Sequence, residues 1–221
     1  MLVFNCSAAA CAFFSTKKAG KTVTRVEPSL FADCRSDSDE QGKLLEQWVV
    51  HVSTLKRKNL VIAMHVQTRY ALVFLDIKKN DFDGFLQRFT QRWLDEMNYF
   101  AEYLGCFQHF DYAAREALFR SLHGEAHVCK GSDRSVSAHI NQLTEGLRYG
   151  FEDPVAEAIE DPASLYKWFN TMLRKTAVKE DYSVPETTMF VHWWGRYRPA
   201  GEERSDEQLT SLVEEVRRWA R

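Results

Sequence analysis

The sequence predicts an α+β protein: a small antiparallel β-meander of three or four strands packed by four to five helices. Three observations predict it. Between residues 48 and 77 apolar residues alternate at period two or run unbroken, with short polar turns between the runs. After residue 82 they recur instead at steps of three and four, the helical spacing. The composition, 45% apolar and 13% aromatic over 221 residues, can fill the core of a single domain.

In chain order, Met1–Cys6 reads as a short strand that adds a fourth to the meander, and Ala8–Phe14 as one or two helical turns. Residues 15–42 are poor in apolar side chains, passing from Lys17, Lys18, Lys21 and Arg25 to an acidic stretch at Asp33–Glu40. They are expected to form a long, partly mobile connection. The meander follows: Trp48–Leu55 with Trp48, Val50 and Val52 on one face, the basic turn Lys56–Lys58, the run Asn59–Met64, and Tyr70–Ile77. Phe82, Phe85, Phe89, Trp93, Met97, Phe100 and Leu104 mark a long amphipathic helix ending at Gly105. Further helices are expected over Asp111–Leu122, Arg134–Tyr149 and Ser164–Ala177. His123 and His127 read as loop histidines beside a buried thiol, and Met189–Trp194 as extended or turn-like. The region 178–221 reads as a C-terminal extension of the single domain 1–221, and a capping box, Ser205-Asp-Glu-Gln208, opens its final helix.

Lys and Arg total 29 against 31 Asp and Glu, a net charge of -2, so bulk charge alone would not hold a polyanion. The apolar start lacks a positive region before it, which argues against a signal peptide. No run of apolar residues reaches 18, so no membrane partner is expected. Five scattered cysteines, an odd number, point to a reducing cytoplasm.

The chemistry-bearing motifs are sparse. Gly20-Lys21-Thr22 ends like a phosphate-binding loop, but Ser15 stands where that loop needs glycine, and a β-branched stretch follows instead of a helix. His123, His127, Cys129 and His139 offer zinc-type ligands at a spacing that fits no finger or ribbon, so no metal and no cofactor is assigned. There is no nucleophile elbow, and catalytic residues are not identifiable. Asp81 or Asp83 suits the cap of the long helix. Ser132-Asp-Arg-Ser-Val136 opens a helix whose first N–H groups are free, so Arg134 and Ser135 could hold a phosphate or carboxylate there. The competing reading is a plain cap by Asp133 or Ser132. Basic residues gather at Lys17–Lys21, Lys56–Lys58 and Lys78–Lys79, where two such loops side by side would make a local anion-binding face.

Met1–Cys6 running into Ser7, the Trp48 strand, Lys56-Arg57-Lys58, the meander and Asp133-Arg134-Ser135-Val136 together resemble an uncharacterised bacterial family of small α+β proteins. Its members open with a hydrophobic strand ending in Cys-Ser or Cys-Thr, and carry an Asn/Asp-Arg-Ser-Val segment before a helix. The resemblance implies a soluble bacterial protein in which Arg134 and Ser135 belong to the shared pattern. It carries over no catalytic residue.

The functional expectation is a non-catalytic binding protein for a phosphate-bearing ligand, nucleic acid included, or for a protein partner. Arg134 and Ser135 would make the contacts, with Lys56, Arg57 and Lys58 as peripheral attraction. One alternative is a small enzyme using Arg134 with His139 or His51 between sheet and helices. Another is a structural subunit docking through an exposed Trp193–Trp194 pair.

Overall fold

Leu2–Cys6 (β1) is buried along its whole length, because it becomes the interior of a sheet rather than an edge. The structure is a computed structural model that describes residues 1–28, 38, 44–104, 111–124, 126–152, 163–175, 182–199, 202, 211 and 213. After β1, the Ser7 hydroxyl accepts the Ala10 N–H and caps α1 (Ala8–Phe13). A hairpin follows, β2 (Thr16–Lys18) and β3 (Lys21–Val23), turning over Ala19 and Gly20. Both turn residues have positive φ, as a tight two-residue hairpin requires, and glycine takes one of them at no steric cost. The meander is β4 (Glu46–Leu55), β5 (Lys58–His65) and β6 (Ala71–Leu75). Then come α2 (Phe82–Tyr103), α3 (Tyr112–Leu122), β7 (Ala126–Lys130), α4 (Arg134–Glu152) and α5 (Ala163–Thr171). A two-stranded pair, β8 (Arg174–Lys175) and β9 (Tyr182–Ser183), leads into α6 (Pro185–Arg196).

Among the described residues the main sheet has five strands in the order β6-β5-β4-β1-β7. The meander is antiparallel, but β1 runs parallel to both its neighbours, Phe4 lying opposite Trp48 on one side and Val128 on the other. Alternation then sorts side chains between two cores. Phe4, Trp48, Val50, Val61, Ala63, Leu72 and Phe74 face α1, α2, α3 and α6. Val49, Leu60, Ile62, Met64 and Val73 face α4 and α5. The larger core is aromatic: Phe89 packs edge-on against both Phe4 (4.9 Å) and Trp48 (4.8 Å), geometry that aromatic quadrupoles favour.

Both sheet edges are covered. On β6, the Asn170 amide takes the N–H and C=O of Ala71, each at 2.9 Å, and the Arg92 Nη1 donates to Val73 O at 3.1 Å. Glu27 bridges to Cys129 on the β7 side, with its N–H on Val128 O and its C=O accepting Lys130 N–H. Such cover removes the exposed ladder that would template aggregation.

The fold class is α+β, as the periodicities predict, with four corrections. His127, read as a loop histidine, lies in β7, too short and too polar at its ends to show a period. Met189–Trp194 is not extended; it lies within α6, begun by Pro185 at the first helical position. The fourth helix stops at Thr171 rather than Ala177. The connection from 15 opens with the β2–β3 hairpin and the Glu27 bridge. The acidic stretch, Gly105 and the Ser205–Gln208 capping box lie outside the described residues, apart from Ser38. No helix among the described residues is long and apolar enough to cross a membrane.

Candidate functional site

Asp133 caps α4: its Oδ1 accepts the Val136 N–H at 2.8 Å and its C=O accepts Ser137 N–H. Arg134 is exposed, and no described residue engages it in a hydrogen bond or ion pair. The Ser135 hydroxyl turns away from it and accepts from Nη2 of the buried Arg69 at 3.2 Å. Arg69 belongs to the β5–β6 turn, whereas Lys56, Arg57 and Lys58 form the β4–β5 turn, at the opposite end of β5. The two halves of the expected anion site are therefore not adjoining. Lys58 instead pairs with Asp76 at 3.2 Å, which sets the basic turn beside the loop carrying Lys78 and Lys79.

That end of the sheet holds a cleft of about 1200 Å³. Strands β1, β4, β6 and β7 all run toward it, and its walls come from segments just past the ends of β1, β6 and β7 together with the β2–β3 hairpin. Lys17, Lys79 and Lys130 line it with the acidic Glu27 and the hydroxyl-bearing Ser15, Thr16, Thr22 and Thr24. The lysines are exposed, and no described residue bonds the ammonium group of any of them. Asn80 donates its backbone N–H to Phe13 O at 3.1 Å, fastening the lysine loop to the end of α1. Arg25 grips Asp83 with two bonds of 2.5 and 2.9 Å, fastening the segment after the hairpin to α2. Arg57 and Lys56 sit in their turn at φ 67° and 44°, a left-handed conformation that costs a non-glycine residue about 1 kcal/mol or more.

The opposite end of the sheet buries charge. Glu46, fully buried, opens β4 on the face of Trp48 and Val50; His65 closes β5 on that same face, directly opposite Trp48. From α6, His192 and Arg196 project one turn apart toward the carboxylate. Nε2 of His192 lies 3.1 and 3.0 Å from the two carboxylate oxygens, Nε2 of His65 is 3.3 Å from Oε2, and Arg196 Nε is 2.8 Å from Oε1. Burial alone would raise the Glu46 carboxyl, but the facing imidazoles, His192 foremost, outweigh it and hold the group well below the usual range. His65 is pushed down to about 4, mainly by burial. It is neutral at pH 7, which leaves Arg196 as the permanent counter-charge. His65 Nδ1 sits 3.0 Å from Thr68 Oγ1, fixing the ring.

The family model of a domain of unknown function, DUF6933, matches residues 12–188. The chain belongs to the DUF6933 family. No curated protein and no solved structure matches it. The span matched to DUF6933 takes in Glu46, His65 and the cleft lysines and ends before His192 and Arg196.

The other polar clusters of this DUF6933 protein join elements to one another. Tyr70 of the β5–β6 connection and Tyr166 of α5 both donate to Glu96 of α2, beside a cavity of about 290 Å³. Burial raises Glu96 despite those donors. Arg115 stacks on Trp194 at 4.0 Å and binds Glu202 through Nη2 at 2.5 and 2.7 Å. Trp193 and Trp194 are buried in the core, so the docking surface expected of them is absent there. His123 bonds the Tyr197 hydroxyl, His127 is exposed and Cys129 is buried under Val3 and Leu45; the three do not converge. His51 pairs with Ser7 at 3.0 Å rather than with Arg134.

Proposed function

We propose that this protein is a non-catalytic binding module, in a reducing cytoplasm, for a small phosphate-bearing ligand seated in the lysine-lined cleft. The observation that carries the reading is the convergence of Lys17, Lys79 and Lys130, from three separate segments, on one open cavity at the ends of co-directional strands. Open α/β sheets receive ligands at the carboxyl ends of their parallel strands, and exposed lysines without partners are point charges suited to phosphate. The hydroxyls of Thr16, Thr22 and Thr24 supply neutral donors around them. Lys56 and Arg57, on the neighbouring turn, add longer-range attraction in the peripheral role expected of them. The free thiols of Cys6 and Cys11 suit the reducing setting.

Calorimetry with pyrophosphate, a nucleoside diphosphate and a single-stranded oligonucleotide tests this. Saturable binding of the small probes is expected, weakening with salt, with Lys79→Ala and Lys130→Ala each costing about 10-fold to 100-fold. Absence of binding by all three probes, or binding that both substitutions leave intact, defeats the reading. Preference for the oligonucleotide over the small probes transfers the partner to nucleic acid.

A further inference from the structure

The charged cluster at the other end of the sheet has a geometry that paired charges alone do not require. We propose that Glu46, His65 and His192 form a binding site for a first-row divalent transition metal, zinc being the simplest occupant. Among the described residues theirs is the one group of three His, Cys, Asp or Glu side chains whose ligand atoms lie within 4.8 Å of one another.

Each ligand arrives from a different element: the start of β4, the end of β5 and the middle of α6. Both imidazoles present Nε2 to the same oxygen, Glu46 Oε2, at 3.3 and 3.0 Å. Ligand atoms about 2.0–2.1 Å from one metal ion stand roughly 3.3 Å apart at tetrahedral angles and roughly 2.9 Å apart at octahedral ones. The two nitrogen–oxygen separations fall within that window. Arg196 binds Oε1 at 2.8 Å, leaving Oε2 as a single-oxygen ligand whose orientation is fixed from behind. Thr68 does the same for His65: with its Oγ1 3.0 Å from Nδ1, it accepts the Nδ1 proton when the Nε2 lone pair faces a metal. The Thr68 N–H, 3.3 Å from the same Nδ1, supports the opposite tautomer, in which Nε2–H donates to Glu46. Thr68 thus serves a loaded and an unloaded state by an exchange of protons at one ring.

Two histidines and one carboxylate leave a coordination position for water or a small ligand. The His192 side chain, 23% exposed, marks the open side, whereas those of Glu46 and His65 are almost fully enclosed. The site is independent of the phosphate reading and shares no residue with the cleft.

The test uses the full chain, stripped with chelator and titrated with Co²⁺ and then Zn²⁺. The expected result is one Co²⁺ per chain with visible absorption bands, displaced by Zn²⁺. His192→Ala, at a partly exposed position, should weaken binding well beyond 10-fold, and Thr68→Val by about 10-fold. His127→Ala, at an exposed position of β7, should leave binding unchanged. Circular dichroism confirms that each variant is folded; should His192→Ala fail, His192→Gln keeps the size and removes the ligand. The site is disproved by absence of stoichiometric uptake, or by uptake that persists in the folded His192 variant. Loss in His127→Ala alone disproves it as well, by moving the metal elsewhere.

Discussion

The two ends of the central sheet handle charge in opposite ways. At one, Lys17, Lys79 and Lys130 stand exposed around an open cleft, with Glu27 also exposed on its wall. At the other, Glu46 lies buried against Arg196, His192 and His65, with both signs held within bonding distance. The desolvation cost explains the difference. A charge can be left single where water still screens it, but one taken inside must be met by partners. Stability should therefore depend on the enclosed end and phosphate binding on the open one.

The largest expected effect tests that division directly. Glu46→Ala leaves Arg196 without its carboxylate in a half-enclosed setting and should cost about 3–5 kcal/mol in denaturant unfolding. Lys79→Ala should change stability by less than about 0.5 kcal/mol. Equal losses in the two variants would break the comparison.

Acid provides the next test. His123, near the enclosed end, is pushed by burial down to about 4, with the Tyr197 hydroxyl, Glu46, Arg196 and the Met1 amino group as its neighbours. Its folded pKa lies below the unfolded value of about 6.5, so the unfolded chain binds the proton first. Stability is full above about pH 6.5 and falls as the pH drops toward 4, by up to about 3 kcal/mol from this group. His123→Gln should flatten that part of the pH profile.

Two smaller effects sharpen the picture at the open end. Asp81 accepts the Gly84 N–H at 2.9 Å as the cap of α2, next to the lysine loop; Asp81→Ala should cost about 1 kcal/mol in thermal unfolding. The gentlest and most diagnostic change is Arg57→Gly. It relieves a positive-φ residue and should stabilise by up to about 1 kcal/mol, while weakening the pull on phosphate probes. A position where stability and binding move in opposite directions is what a retained functional charge would produce.

Much of this architecture was legible because long periodic segments report burial directly. The stripe from Phe82 to Leu104 forms α2, and the alternation from Trp48 to Ile77 forms the meander. The parallel pairing of β1 was not legible, since its partners lie beyond residue 45 and beyond residue 125, and period-two alternation has no direction. The Asp cap of α2 could be read from residue type and position. Arg134 and Ser135 attracted attention as a local motif, yet side-chain direction separates them once α4 forms. Glu46 and His65 left a trace: each continues a buried face with a titratable residue, at the two ends of the apolar runs. His192 and Arg196 become neighbours only on a helix, and the aromatic run around them read as extended. The cleft lysines are far apart in sequence, so only the three basic loops, taken together, pointed to that end of the molecule.

The central position of β1 has a consequence for how the chain is assembled. Strand β1 can pair with β4 once residue 55 has been made, but its other edge must wait for β7 at residues 126–130. At roughly 5–20 residues per second, that delay lasts several seconds, during which one edge of a largely apolar strand has no partner. The β4–β5–β6 hairpins can close through local contacts at once, whereas the β1–β7 pairing adds a long loop to the barrier. Refolding should accordingly be slow and concentration-sensitive, and a chain interrupted before Lys130 should aggregate rather than form a smaller stable domain.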